Sequence, residues 1–467
     1  MRCTLASIGF RPGVLCLCAA GALAIGRAAI VEAGDVLPDP ATLLPSWQVV
    51  PSAPVTREIT FDEFMSEVLA ANLDYAAQRY NVDLAKADAA AARLWPNPTL
   101  TLNANRDLTF HGKVALGING NHVSQTLPES RALGLTQTLD LAGKRRWRTR
   151  TADQTYRAAA ANLEDFLRNL KLDATAAFAA ALATRTTVEQ QRQAAGYLAD
   201  LVQAQRVRFE KGDRSEADYL QSRLDELQLQ NDLRQAEASA TAAQFALCTF
   251  LGRDRGQTTL IPRGELQPPA RDYDPAQLIG RALATRPDLV ALRHSRDATQ
   301  SMIRAAKAER FPDVDVGATY TASRASENFI AAAPRFNQLG LGLSLPLPLW
   351  NRNQHQIRKA QATAGQTQRQ LDAAELKAEV EIRTAYSNYR AAIGRVQQFE
   401  GELLRGAETV VGARRYSYEH GQTSLLELLE AQRTANNVQQ NYHDALADAV
   451  KAHIELLRAA GLAEAEF

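Results

Sequence analysis

The sequence predicts a mainly α-helical protein that carries four membrane β-strands and is built from two tandem copies of one structural unit. Three observations lead to this prediction: very long segments without proline, a segment with leucine at every second position, and motifs that recur in the same order in both halves. The chain has 467 residues, enough for two large units. Its net charge of +1 gives no bias toward nucleic acid or acidic substrates.

Residues 1–30 are typical of a secretory signal peptide. Arg2 and Arg11 supply positive charge, and the apolar segment that follows contains small-x-small cleavage sequences. Leucine, not a small residue, precedes both Cys16 and Cys18, and lipid attachment at either one is an open alternative. Because three of the four cysteines lie in this segment, the mature chain keeps only Cys248 and has no disulfide framework. Residues 31–59 are rich in proline and are predicted to form an extended strap.

Motifs of the first half return in the second half. LAANLDY around Asp74 corresponds to LATRPDL around Asp288, and GDRSEADYL after Gly212 corresponds to GQTSLLELL after Gly421. Small changes in the offset between motifs are what loop insertions would produce. The sequence therefore predicts a first repeat at 60–253, a proline- and glycine-rich linker at 254–275, a second repeat at 276–461 and a short tail at 462–467.

Each repeat is predicted to contain a helix, two strands, a long helix, a tight turn and a returning helix. In the first repeat these are a helix at 61–94, strands at 99–105 and 132–141, and helices at 144–211 and 215–251. In the second repeat the strands begin near Asp313 and Leu339, and the helical segments are 351–420 and 424–460. The long helices would extend about 100 Å at 1.5 Å per residue, which is unusual for a globular domain.

Leucine occupies every odd-numbered position from Leu339 to Leu349, with small residues or proline between. Side chains alternate between the two faces of a strand, so one face would be leucine and the other small. A half-buried soluble strand has the same periodicity as a barrel strand in lipid, and the long helices favour the second interpretation. Four strands are too few to close a barrel, and open edges in lipid are costly. The predicted barrel must therefore be shared between chains, with 8 strands from two copies or 12 from three.

Specific motifs connect the chain to a known family. Asn97-Pro98 and Phe311-Pro312 open strands in both repeats, and a Gly-x-x-Ser turn follows each long helix. With the tandem repeat, these features resemble the TolC-type outer-membrane efflux channels over about residues 60–461. The segments LTQTLDLAGKRR (135–146) and LPLPLWNRNQ (345–354) resemble the CzcC-like heavy-metal branch of that family.

The resemblance implies a homotrimer with a 12-stranded β-barrel in the Gram-negative outer membrane and a 12-helix α-barrel in the periplasm. It implies outer-membrane lipid, a periplasmic adaptor (a membrane fusion protein) and an inner-membrane RND pump as partners. The expected function is a passive exit duct for heavy-metal cations of the Co/Zn/Cd/Ni/Cu class. The alternatives are a TolC-like channel for drugs or type I secretion, and a soluble periplasmic coiled-coil adaptor.

The resemblance also implies functional positions at the periplasmic tips of the helices. The expected gate residues are Asp218, Tyr418, Glu427 and Glu430. The expected adaptor-docking residues are Gly212, Arg214, Ser215, Gly421, Thr423 and Ser424. Thr423 replaces an arginine of the family, which puts the family's salt-bridged latch in doubt. Without the resemblance, the same residues would be interpreted as a solvated helix face and ordinary helix caps.

No catalytic or cofactor site is predicted, since the sequence contains no P-loop, G-x-S-x-G or H-E-x-x-H motif. The seven histidines are scattered without an i, i+4 pair, so no resident metal site is predicted and the protein is not expected to be an enzyme. A basic run from Lys144 to Arg150 follows a predicted strand. It would either pair with lipid phosphates or be a solvated helix start.

Overall fold

The computed structural model describes residues 55–106, 129–212, 215–252, 258–268, 271–324 and 335–462. The predicted signal peptide with Cys16 and Cys18, most of the strap, Arg214 and most of the C-terminal tail lie outside the described residues.

The two halves of the chain contain their long elements in the same order. The first half comprises β1 (Val55–Ile59), α1 (Phe61–Ala71), α2 (Leu73–Ala92), β2 (Thr99–Arg106), β3 (Glu129–Leu139), α3 (Lys144–Glu210) and α4 (Glu216–Leu251). The second half comprises β4 (Thr258–Pro262), α5 (Pro275–Thr285), α6 (Pro287–Ala308), β5 (Val314–Arg324), β6 (Arg335–Ser344), α7 (Gln354–Gln398), a π-helical turn (Phe399–Leu403), α8 (Leu404–Glu419) and α9 (Leu425–Ala460).

The long helices form as predicted, with one exception. Helix α3 runs for 67 residues without interruption, or about 100 Å. The corresponding segment of the second half is divided by the π-helical turn, which the sequence analysis missed. This turn packs on α9, because Phe399 contacts Tyr442 with ring centroids 6.2 Å apart and the Tyr442 hydroxyl donates to Glu400 Oε1 at 3.1 Å. Among the described residues, no helix is both long and apolar enough to cross a membrane.

The prediction of one opening helix at 61–94 was wrong, because Asn72 divides it. The Asn72 side chain accepts a hydrogen bond from Tyr75 N at 2.8 Å and thereby caps α2. Its Nδ2 donates to Phe250 O at 3.1 Å, which ties the break to the end of α4. Gly252 ends α4 at φ +63°, and a Cβ there would lie 2.6 Å from Ala71 O. Local capping and close packing therefore override the helical pattern at this point.

Four strands form one antiparallel sheet in the order β2-β3-β5-β6. The register aligns the apolar positions of all four strands on one face. One row across this face consists of Leu102, Leu133, Tyr320 and Leu339. These side chains are exposed, and Leu341 on the same face is 85% exposed. The predicted leucine face is thus present, and no part of the chain that the structure describes covers it.

The opposite face of the sheet is small and polar. Gly134 lies between Thr101 and Thr319, and a Cβ at Gly317 would be 3.1 Å from Thr136 Oγ1. Near the helix end of the sheet, Thr138 Oγ1 donates to Asp315 Oδ1 at 2.6 Å. The two faces therefore differ in polarity across all four strands, as the alternation predicts.

The final strand is shorter than the leucine series indicated. Strand β6 ends at Ser344, although leucine continues to occupy every second position to Leu349. Pro346 and Pro348 lack the backbone N–H that a strand ladder requires, so the series continues as an irregular segment.

A small parallel sheet joins the strap to the linker, which the sequence analysis described only as extended or connecting segments. Strand β1 pairs with β4 along its whole length. Ile59 and Leu260 are buried with Phe64 and Phe178 in an apolar core between this sheet, α1, α3 and α4. The end of the strap is therefore part of the folded body.

Candidate functional site

The candidate site lies at the tips of two helical hairpins, where α3 turns into α4 and α8 turns into α9. Gly212 and Gly421 occupy these turns at φ +82° and +71°, which favours glycine. Ser215 and Ser424 then cap the returning helices: Asp218 N donates to Ser215 Oγ at 3.2 Å, and Glu427 N donates to Ser424 Oγ at 3.3 Å. The expected docking residues thus form two equivalent capped turns, apart from Arg214, which is outside the described residues.

Tyr418 connects the two hairpins. Its side chain is 7% exposed, and its hydroxyl accepts hydrogen bonds from Gln205 Nε2 at 2.6 Å and from Arg208 Nη1 at 3.1 Å. The Arg208 guanidinium also lies 5.8 Å from the centre of the Tyr418 ring. Gln205 and Arg208 belong to α3, whereas Tyr418 belongs to α8. We call the contact between the α3–α4 hairpin and the α8–α9 hairpin the inter-hairpin seam.

Apolar packing surrounds this hydrogen-bonded group. The buried residues packed with Tyr418 come from α3 and α9. They are Leu198, Val202, Leu425, Leu428 and Leu429. Burial of these side chains removes water from around the Tyr418 hydroxyl, which strengthens its hydrogen bonds and raises the cost of breaking them.

The three expected acidic gate residues differ in their surroundings. Glu427 is half-buried, and its Oε2 pairs with Arg414 Nη1 at 2.6 Å, which links α8 to α9. Glu430 is exposed, and within the described residues its carboxylate makes no ion pair. Asp218 is half-buried in the first turn of α4, where negative charge favours the helix N-terminus.

An ion pair crosses the inter-hairpin seam nearer the sheet. Arg433 of α9 pairs with Asp225 of α4, whose side chain is only 12% exposed. A polar cavity of about 510 Å³ lies beside this pair between α3, α4 and α9. Within the described residues, Gln190 Oε1, Gln432 Oε1 and Asp225 Oδ2 are buried without a hydrogen-bond partner. The seam therefore combines strong contacts with unsatisfied acceptors, whose burial is costly.

Thr423 occupies the position of the family's arginine. Its Oγ1 is buried without a hydrogen-bond partner in the part of the chain that the structure describes. Arg208 instead supplies a guanidinium to Tyr418, from the other hairpin. A guanidinium therefore lies beside Tyr418, although position 423 carries no positive charge.

The partners of the expected residues could not be predicted from the sequence. Those are Gln205, Arg208, Asp225, Arg414 and Arg433. Gln205 and Arg208 are three residues apart on α3 and therefore share one face of its last two turns before Gly212. This shared face is the only local signal that they give. Their pairing with Tyr418 spans more than 200 positions of sequence.

A separate buried cluster fixes the linker to the helices. Tyr389 Oη donates to Arg271 O and accepts from Arg271 N, both at 3.0 Å. The Tyr273 hydroxyl lies 2.9 Å from His453 Nε2, and the His453 side chain is 4% exposed. Burial, assisted by the positive charge of Arg271, lowers the pKa of His453 to about 4.

We expect stability to fall as the pH is lowered from about 6.5 toward 4. The unfolded chain takes up a proton near the ordinary histidine pKa of about 6.5, while folded His453 stays neutral, so acid favours the unfolded state by about 2 kcal/mol at pH 5 relative to pH 7. His453→Gln should reduce the change in unfolding midpoint between pH 7 and pH 5. His355→Gln, at an exposed ring, is the control. An equal pH dependence in both variants would contradict the assignment.

A family model described as Outer membrane efflux protein matches residues 64–253 and 278–462. The chain belongs to this family. The match confirms the TolC-type resemblance that the repeats and strand openings indicated.

Two curated relatives are similar along different lengths of the chain. The fusaric acid resistance protein FusA of Burkholderia cepacia is 29% identical over 275 residues, which cover 56% of this chain and only 50% of the relative. The cobalt-zinc-cadmium resistance protein CzcC of Cupriavidus metallidurans is 24% identical over 404 residues, covering 86% of this chain and 90% of the relative. The longer similarity agrees with the CzcC-like branch.

A solved structure shows the same fold. The crystal structure of CusC, from a study of folding and transmembrane channel formation, matches with a TM-score of 0.67 at 18% identity. The match covers 86% of this chain and 92% of that chain. The predicted protomer fold of four strands and long helical hairpins is therefore confirmed.

Proposed function

We propose that this protein is the outer-membrane channel of a tripartite efflux system and a passive exit duct for heavy-metal cations. The observation that carries the proposal is the four-stranded sheet, which has one exposed leucine face and two open edges. Strands β2 and β6 form these edges, and unpaired backbone groups in lipid cost several kcal/mol each. A closed barrel made with further copies satisfies both edges and places leucine against lipid.

The helices below the sheet support the same closure. Helix α2 leads into the β2 edge and carries Leu73, Tyr80 and Leu84, which are 65%, 68% and 64% exposed. Helix α7 follows the β6 edge and exposes Leu376 and Val380. Each is an apolar row without a partner within the described residues, so neighbouring copies can bury both rows. We propose the homotrimer, with 12 strands and a 12-helix periplasmic tunnel.

In this assembly the capped turns lie at the periplasmic end, farthest from the sheet. There they would receive the hairpins of a periplasmic adaptor, which connects the channel to an inner-membrane RND pump. The pump supplies the driving force, and the inter-hairpin seam supplies a closed state. Opening requires the contacts of Tyr418 and the Arg433–Asp225 pair to separate.

We propose heavy metals as the cargo because the similarity to CzcC extends over most of both chains. Deleting the gene should lower tolerance to several of zinc, cobalt, cadmium, nickel and copper, measured as growth inhibition. Complementation with the intact gene is the control. Unchanged tolerance to all five metals would contradict the metal assignment. Sensitivity to fusaric acid instead would favour the drug-channel alternative, which the similarity to FusA supports.

We propose that Glu427 and Glu430, with Asp218, form acidic rings at the tunnel entrance. Threefold symmetry would bring three copies of each around one axis, where they attract cations. Glu427→Ala with Glu430→Ala should weaken the cation preference of channels in planar bilayers, measured as reversal potential. Glu402→Ala with Glu408→Ala removes the same charge from exposed positions farther from the tip and is the control. An unchanged reversal potential in the Glu427→Ala, Glu430→Ala variant would contradict the assignment of these residues to the gate.

A further inference from the structure

The junction between the sheet and the helices is rich in aromatic and basic side chains. We define the junction as the segments that join the four-stranded sheet to α2, α3, α6 and α7. Trp95 and Trp350 lie in these segments, Trp147 lies beside them in the first turn of α3, and Trp350 is 87% exposed. Arg145 lies over the Trp95 ring at 4.2 Å, and Arg304 lies over the Trp147 ring at 4.9 Å. Such residues are typical of the boundary between a membrane and water.

One cavity at the junction has an apolar wall and a basic rim. It has a volume of about 490 Å³ and lies between the start of α3 and the end of α6. Leu141, Trp147 and Phe311 form most of the wall, while Arg304 and Lys307 lie three residues apart on α6. A ligand in this cavity would contact hydrocarbon on one side and two positive charges on the other.

The two basic residues are available for a ligand. Both are exposed, and within the described residues neither forms an ion pair. The nearby acids have other partners: Glu309 Oε2 accepts from Asn353 Nδ2 at 2.9 Å, and Asp313 pairs with Lys144 at 2.9 Å. The rim of the cavity therefore carries two cationic side chains without an ion-pair partner among the described residues, and these favour an anionic group.

The wall of the cavity lies next to the end of the sheet that carries the leucine face. Leu141 lies two residues after β3 ends, and Phe311 lies three residues before β5 begins. Leu141 is 74% exposed and Phe311 is 64% exposed. Exposed apolar side chains thus lie between the sheet and the positive rim. A free anion would use only the rim, whereas a molecule with a phosphate and acyl chains matches both parts.

We propose that this cavity binds one glycerophospholipid of the membrane leaflet at the junction. Its phosphate contacts Arg304 and Lys307, and its glycerol and upper acyl chains pack on Leu141, Trp147 and Phe311. This inference rests on the proposed outer-membrane location, because only that location supplies lipid at the level of the junction. It adds a defined lipid site to the general contact between leucine and hydrocarbon.

The test compares lipid binding by intact trimers purified in detergent. Native mass spectrometry with added phosphatidylglycerol measures the dissociation constant of the tightest lipid. Arg304→Gln with Lys307→Gln should weaken it about 30-fold, from the loss of two cationic contacts near a lipid phosphate. Arg304→Lys with Lys307→Arg keeps both charges and should bind within a few-fold of the original. Arg369→Gln with Lys377→Gln removes two exposed charges from α7, away from the junction, and should have no effect.

Two outcomes would overturn the inference. Equal lipid affinity in the Arg304/Lys307 and Arg369/Lys377 variants would show that the cavity does not hold the phosphate. Full displacement of the lipid by equimolar inorganic phosphate would reduce the site to an anion site. A wild-type protein absent from the outer-membrane fraction would instead contradict the proposed function, and cell fractionation reports this before any lipid is measured.

Discussion

Replacing Tyr418 with phenylalanine should raise the leak conductance of the reconstituted channel by about tenfold, through a shift toward the open state. The substitution removes only the hydroxyl that accepts hydrogen bonds from Gln205 and Arg208. Gln205 is 1% exposed, so its amide would lose a partner where water has little access. The seam already buries unsatisfied acceptors on Gln190, Asp225 and Gln432, so separation of the hairpins also lets these groups meet water.

The matched control is Tyr416→Phe, on the same helix two residues earlier. Tyr416 is 60% exposed and stacks on His420 rather than crossing the seam. Both variants lose one tyrosine hydroxyl, but only Tyr418→Phe weakens the contact between hairpins. Single-channel recordings in planar bilayers measure the closed-state leak of each. Equal leak conductance in the two variants would show that the Tyr418 hydroxyl does not stabilise the closed state.

Placing arginine at Leu341 should abolish most trimer assembly in the outer membrane. Leu341 lies between Leu339 and Leu343 on the leucine face of β6 and is 85% exposed. Arginine in the middle of the lipid-facing surface of a barrel costs about 2–4 kcal/mol, and each trimer would carry three copies. The measurement is the fraction of heat-resistant trimer in outer-membrane extracts on unboiled gels.

Gln338→Arg is the control for this experiment. Gln338 lies on the same strand but on the small, polar face of the sheet, opposite Thr321. Arginine there would point into the channel and meet water. We expect loss of trimer for Leu341→Arg and normal trimer for Gln338→Arg. Normal trimer for Leu341→Arg together with loss of trimer for Gln338→Arg would contradict this assignment of the two faces.

Long regular elements could be predicted from the sequence because their signals are local. Helix α3 contains no proline, and the alternation in β5 and β6 has a period of two. Ser215 and Ser424 mark the starts of the returning helices because N-cap chemistry depends on a few neighbouring residues.

Features that depend on distant contacts could not be predicted in the same way. The pairing of β1 with β4 joins two five-residue strands about 200 positions apart, and neither strand has a distinctive pattern. The break at Asn72 depends on Phe250 and Gly252, which belong to the far end of α4.

In the candidate site, too, local features could be predicted and distant contacts could not. Position and residue type identified the capped turns and, with the family resemblance, placed Tyr418 near the tip. The partners Gln205 and Arg208 became visible only when α3 and α8 were brought together, because a helix surface does not indicate which distant helix it contacts. The contact of Arg208 with Tyr418 likewise joins residues that are far apart in sequence.

Disulfide formation between β2 of one copy and β6 of the next tests the central claim, that these edges close a shared barrel. Leu102→Cys would be combined in turn with Leu339→Cys, Leu341→Cys and Leu343→Cys, with Cys248→Ser as the background. We expect at least one cysteine pair to oxidise in outer membranes. Non-reducing gels should then show a ladder of cross-linked species that ends at a covalent trimer and disappears on reduction. The single-cysteine chains should give no such ladder. Correctly localised protein that forms no cross-link with any pair, or a ladder that ends at a dimer, would contradict it.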